Sequence, residues 1–269
     1  MAIDGIKIID SDSAYDIYND ITERYKDREE VTKIIQDWLG EEQNFCIDAL
    51  HTEIYWTALA YSLWKIGHLP EDILQKTLAI IKNGASEEWH KIDAKAHKQR
   101  QKNLEKLAEQ LQSDNPKPIK QPKPTKKKEP YFQEGDVLAI EMPQGYGICF
   151  VSQVYQTPRK LEYHLACTQH LSDSFPKIDD FLNSKIACGK NGKTFALKTD
   201  CWFNHKDLGE ILPHLKKIRH VKFSSYELWV LSPAHNLEDM YDKITEEPRH
   251  YGGKTEYIYD MIIDIFPSE

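Results

Sequence analysis

The stretch SDNPKPIKQPKPTKKKEP, residues 113–130, most constrains what this chain can fold into. Its prolines fix φ and remove backbone donors, so neither a helix nor a sheet ladder can run through it. Folding must happen separately on either side. Six lysines against Asp114 and Glu129 also make it a basic block. Its composition is that of an extended, solvated spacer. A nucleic-acid or nuclear-targeting patch is the competing reading. The run has no aromatic residue to stack on a base, which favours the spacer. Three regions result: a helical bundle over 1–112, a Lys/Pro-rich linker over 113–130, and an α+β domain over 131–269.

The first region carries helical periodicity throughout. Ser11 and Asp12 are N-cap candidates for a helix from about Ser13, with Ala14, Ile17, Tyr18, Ile21 and Tyr25 on one face. Val31, Ile34, Ile35, Trp38 and Leu39 repeat the pattern, and Gly40 is a natural stop. Residues 45–66 are more apolar and predict the central helix, with Ala58, Ala60 and Ser62 small enough for close approach. Pro70 sits where a first-turn proline belongs, before Ile73, Leu74, Leu78 and Ile81. A last helix is expected from near Ser86, continuing past His97 with Leu104, Leu107 and Leu111 as its apolar line. This is a bundle of about five helices. No segment recurs at a fixed period, which disfavours a paired-helix repeat.

Beyond the linker the period changes to that of strands. Val137–Ile140 and Ile148–Val151 are short apolar runs separated by Pro143, Gly145 and Gly147, with Gly135–Asp136 turn chemistry in front. They predict a β-hairpin. Further strands are expected over 161–167, 193–198 and 226–231, with short helical turns at 179–182 and 205–215. The tail, 257–266, has apolar residues at Ile258, Met261, Ile262 and Ile265, which predicts a closing helix. The expected fold is α+β: an all-α bundle, then a small twisted, largely antiparallel sheet or partly open barrel with short helices.

No familiar catalytic motif is spelled out. Gly145–Gly147 matches neither a P-loop nor a dinucleotide fingerprint. Among eleven histidines none falls in HExxH. The nearest ligand-like set is Cys201, His205 and His214 with Asp200 and Asp207, and ordinary loop residues explain it better. Asp200, His205 and Tyr146 are the scattered polar residues from which an enzyme site would have to be assembled. Cys149 lies inside an apolar strand, as a core residue rather than a nucleophile. Asp10, Asp12, Asp16 and Asp20 are spaced as a solvated helix face. Catalytic, cofactor and metal residues are therefore expected to be none.

A net charge of −8 argues against a general nucleic-acid binder. The first ninety residues hold about ten more acids than bases. Such a field draws basic partners. No apolar run approaches a bilayer-spanning length, and the N-terminus lacks the pattern of a secretory signal. The five cysteines never form CxxC, which suits reduced thiols in the cytoplasm.

Two stretches resemble known families. The run YFQEGDVLAIEMPQGYGICFVSQV (131–154) resembles the opening of the immunity protein 26 family of bacterial polymorphic toxin systems, and IDDFLNSKIACG with FALKTDCWF follows it loosely. SDSAYDIYNDI and TALAYSLWKIGHLPEDILQKTLAII are similar to an uncharacterised bacterial helical family found near such genes, without its usual GxWG opening. The resemblance implies a cytosolic antitoxin that binds a cognate toxin, commonly a nuclease, and blocks it without catalysis. The alternative is a nucleic-acid-associated module using the small barrel and the basic linker.

Overall fold

The computed structural model describes residues 5–93, 95–124, 126–191, 195–224, 230–246 and 257–266. They form two compact units, Met1–Pro124 and Thr125–Glu269. The first is helical and the second is built on a sheet, so the α+β expectation holds.

In the first unit, α1 (Asp12–Lys26) is capped by Ser11, whose hydroxyl accepts the Ala14 N–H. It is followed by α2 (Val31–Gly40), the single turn α3 (Glu42–Phe45), α4 (Ala49–Lys65), α5 (Glu71–Lys82) and α6 (Ala96–Leu111). Every residue of α4 from Glu53 to Ala60 is buried. A helix apolar on all sides must be wrapped by others, which makes α4 the centre of the bundle.

Two helix boundaries differ from the sequence reading. The central helix starts at Ala49 under an Asp48 cap, and residues 42–45 stand apart as α3. The helix expected from Ser86 is broken: Glu87–Lys91 is a 3-10 turn, and α6 begins only at Ala96. The cause is non-local. Buried Glu53 accepts the Ser86 N–H at 2.7 Å and the indole N–H of buried Trp89, which pins the turn to α4.

The start of the Lys/Pro segment is not solvated throughout. Trp64 Nε1 donates to the Ser113 carbonyl, Ile119 N–H to the Lys65 carbonyl at 2.8 Å, and Arg28 to the Pro122 carbonyl. These contacts tie it to the helical unit.

The second unit has strands β1 (Asp136–Met142), β2 (Gly145–Gln156), β3 (Leu161–Ser172), β4 (Cys188–Asn191), β5 (Phe195–Asn204), β6 (Leu215–Phe223), β7 (Val230–Pro233) and β8 (Ile262–Phe266). Their order is β4-β5-β3-β2-β1-β6-β8, with β7 parallel to β5 and every other pair antiparallel. The expected hairpin is β1–β2, with Met142 opposite Gly145. Gly135 before it has φ +87°, and a Cβ there would lie 2.2 Å from the Val221 carbonyl oxygen, so only glycine fits. Both faces of the sheet are covered. Leu138, Ile140, Cys149, Val151, Leu165, Cys201 and Phe203 pack under α8 (His205–Ile211) and α9 (Leu237–Thr245). Val137, Ile148, Phe150 and Ala166 pack with Phe181 of α7 (Ile178–Leu182) and with Ile258 and Met261. Double coverage explains why β1 reads as a continuous apolar run rather than an alternation.

The sheet stays open, and single bridges from Thr168 to Ile186 and from Lys185 to Tyr257 link the tail back toward β3. The tail corrects the sequence reading. A 3-10 turn (Ile258–Asp260) leads into strand β8 rather than a closing helix, because β6 supplies a pairing edge. β6 itself was not expected, since its sequence, LKKIRHVKF, is strongly basic. Residues 193–194 and 226–229 of the two other expected strands lie outside the described residues; the remainders are β5 and β7.

Candidate functional site

The acidic helix of the first unit sorts into two groups. Ala14, Ile17 and Ile21 turn inward. Asp12, Tyr15, Asp16 and Asn19 follow one another at i, i+3, i+4 and i+7 and are all exposed. Tyr15 is 56% exposed, so a flat amphipathic ring stands outward between two aspartates. The other two acids of the expected stripe are structural. Asp10 accepts the Lys7 N–H at 3.1 Å, and Asp20 accepts from Trp38 Nε1 at 2.8 Å and from Arg24. Arg24 also holds Glu29 at 2.7 Å and Asp37. Hydrogen bonding to that guanidinium pulls the Glu29 carboxyl down to about 2.

An exposed aromatic ring offers contact area at low entropic cost, and flanking acids favour basic groups over acidic ones.

The five ligand-like residues of the second unit do not converge. Cys201 and Asp200 are neighbours on one strand, so they point to opposite faces. Cys201 is buried with Cys149 and Cys167 in the core beneath α8. Burial pushes the Cys149 thiol up, and a hydrogen bond with Cys201 together with burial does the same to Cys167. Those thiols are packing groups. His205 lies in the first turn of α8, stacked 4.2 Å from the Tyr131 ring, with Nδ1 2.9 Å from the Tyr163 hydroxyl. Burial, with Lys128 adding to it, lowers its affinity for a proton. Asp207 pairs with His235 at 2.8 Å, which holds its carboxyl low, and His214 is exposed on a separate 3-10 turn.

Nor do Asp200, His205 and Tyr146 assemble. Tyr146 sits at the β1–β2 turn opposite Ser172, whereas His205 follows Asn204, which pairs with Glu162 at the other end of β3. Ten strand residues separate those ends, roughly 30 Å.

Sequence reasoning missed one polar group that the register creates. Ser152 of β2, His164 of β3 and Asp200 of β5 lie on the face opposite the cysteines. Asp200 is fully buried and accepts the Ser152 hydroxyl, which also lies 3.1 Å from the His164 carbonyl oxygen. His164 is 92% buried, and its Nδ1 has no partner among the described residues. Burial lowers its pKa, against the opposing pull of Asp200, Glu162 and Glu134. The Ser152 hydroxyl faces the Asp200 carboxylate rather than the His164 ring. Three residues on three strands leave no linear signal; only the pairing register brings them together.

No family model, curated protein or solved structure matches the chain. Among the described residues no helix is long and apolar enough to cross a membrane.

Proposed function

We propose that this is a cytoplasmic immunity protein that works by binding: it caps a basic toxin domain, commonly a nuclease, and performs no catalysis of its own. The observation that carries this reading is the outward face of α1, where Tyr15 stands exposed among Asp12, Asp16 and Asn19. A buried aromatic anchor with a charged rim is how compact interfaces concentrate their energy. The resemblance of residues 131–154 to an immunity family points the same way.

The test is co-expression with the toxin encoded beside the gene. Growth rescue and one-to-one co-purification are expected for the wild type. Tyr15→Ala is expected to weaken binding by about 2 kcal/mol, roughly thirtyfold. Asp16→Lys is expected to slow association most strongly at low salt. Rescue at wild-type strength by a Tyr15→Ala/Asp16→Lys double variant would move the interface off α1. Absence of both rescue and co-purification would end the reading.

One observation favours a second reading, a nucleic-acid-associated module: β6 exposes Lys216, Lys217 and Lys222. Lys216 and Lys217 are already engaged by Glu141 and Asp136, which weakens the idea. It requires binding that falls steeply with salt. Unchanged binding after Lys126, Lys127 and Lys128 are replaced by serine would remove the linker's part in it.

A further inference from the structure

The break between the 3-10 turn Glu87–Lys91 and α6 has a chemical consequence. In an unbroken helix His90 and His97 would share a face but stand about 10 Å apart along the axis, too far for one ion. The break folds them together. Their rings stack in parallel, 4.2 Å between centroids and 11° between planes. Glu87 reaches both: Oε2 lies 3.5 Å from His90 Nε2 and Oε1 lies 3.9 Å from His97 Nε2. One donor atom from each of the three residues lies within 4.8 Å of the other two.

We propose that Glu87, His90 and His97 form a binding site for a borderline divalent transition cation, with Zn2+ the natural probe. The site is independent of the toxin reading.

The donor set decides the class of ion. Two imidazoles and one carboxylate suit zinc, nickel or copper rather than calcium or magnesium, which demand an oxygen shell. The Glu87–His90 separation is close to the edge of a zinc tetrahedron, about 3.4 Å for metal–ligand bonds of about 2.1 Å. Three protein ligands leave a position for water or for a donor from another molecule.

The scaffold orients one ligand in advance. His97 Nε2 lies 3.0 Å from the Ala85 carbonyl oxygen, and Gln101, one turn along α6, accepts the Ala85 N–H at 2.8 Å. The carbonyl holds the proton on Nε2 and fixes the ring, which leaves Nδ1 as the His97 nitrogen for the ion. His97 is partly buried, whereas His90 and Glu87 are exposed, so the site is anchored on one side and reachable from solvent on the other. A bound ion would staple the 3-10 turn to α6. It would therefore raise the melting temperature of the helical unit.

The experiment is calorimetric titration of ZnCl2 into chelator-treated full-length protein, with a thermal melt with and without the ion. One site per chain and a Zn2+-dependent rise in Tm are expected. His90→Gln and His97→Gln are each expected to weaken binding at least about tenfold, and their double variant to abolish the Tm rise. Circular dichroism of the double variant without metal, matching the wild type, establishes that the loss is not misfolding. Binding of equal strength in the wild type and the double variant would overturn the proposal, as would no binding to the wild type.

Discussion

Replacing Arg100 by methionine gives the sharpest test of how the helical unit is held together. Arg100 is 1% exposed and Glu53 2%, and Arg100 Nε donates to Glu53 Oε1 at 2.8 Å. The guanidinium also donates to the Lys7 carbonyl at 2.6 Å and the Ile6 carbonyl at 3.2 Å, and lies over the Trp89 ring. One buried pair thus ties together the start of the chain, α4, the 3-10 turn and α6. Burial lowers the Arg100 pKa in spite of Glu53, so attraction does not fully offset desolvation. The pair should therefore matter most when only one member is removed. Arg100→Met leaves a buried carboxylate without a countercharge, at about 3–5 kcal/mol. Glu53→Met leaves a buried cation and also strands the Ser86 and Trp89 N–H groups, which puts it at the upper end of that range. The Glu53→Met/Arg100→Met double variant removes both charges and leaves only neutral groups, the Ser86 and Trp89 N–H and the Lys7 carbonyl, without their charged partner, about 2 kcal/mol. The assay is urea unfolding followed by far-ultraviolet circular dichroism. The double variant should be more stable than either single. Additive losses, or a single-variant loss below about 1 kcal/mol, would refute the reasoning.

Two further outcomes follow from local geometry. Gly135→Ala forces a Cβ into the Val221 carbonyl oxygen at a left-handed position, and should cost about 3 kcal/mol, read as a lowered melting temperature for the sheet unit. Glu29 is held near 2 by Arg24, so its contribution is present above the ordinary glutamate range and is lost as pH falls toward about 2. Glu29→Gln should therefore cost about 1 kcal/mol at neutral pH, and the gap from wild type should close on acidification. A gap that stays constant with pH would contradict that assignment.

Much of the fold was legible because its signals are local. Val31 to Gly40 reads as a helix with a glycine stop, and the element has those bounds. Gly135 and Pro143–Gly145 read as turns around two apolar runs, and the hairpin is there. Where the sequence misled, a distant partner overrode a local pattern. Ile258, Met261, Ile262 and Ile265 have helical spacing, but β6 offered a strand edge, and Ile265 ends 45% exposed. The helix expected from Ser86 breaks because Glu53, more than thirty residues away, captures Ser86 and Trp89. The candidate sites divide in the same way. The outward face of α1 follows from helical spacing alone. The gathering of Ser152, His164 and Asp200 needs strand register, and that of Glu87, His90 and His97 needs the helix break.

The central claim is that this chain acts by binding a basic toxin through the α1 face. The most direct measurement is calorimetric titration of the purified neighbouring toxin domain, in inactive form, into the full chain at low and moderate salt. A one-to-one complex that survives moderate salt, with affinity reduced about thirtyfold by Tyr15→Ala, is the expected result. No heat of binding at either salt would contradict the claim.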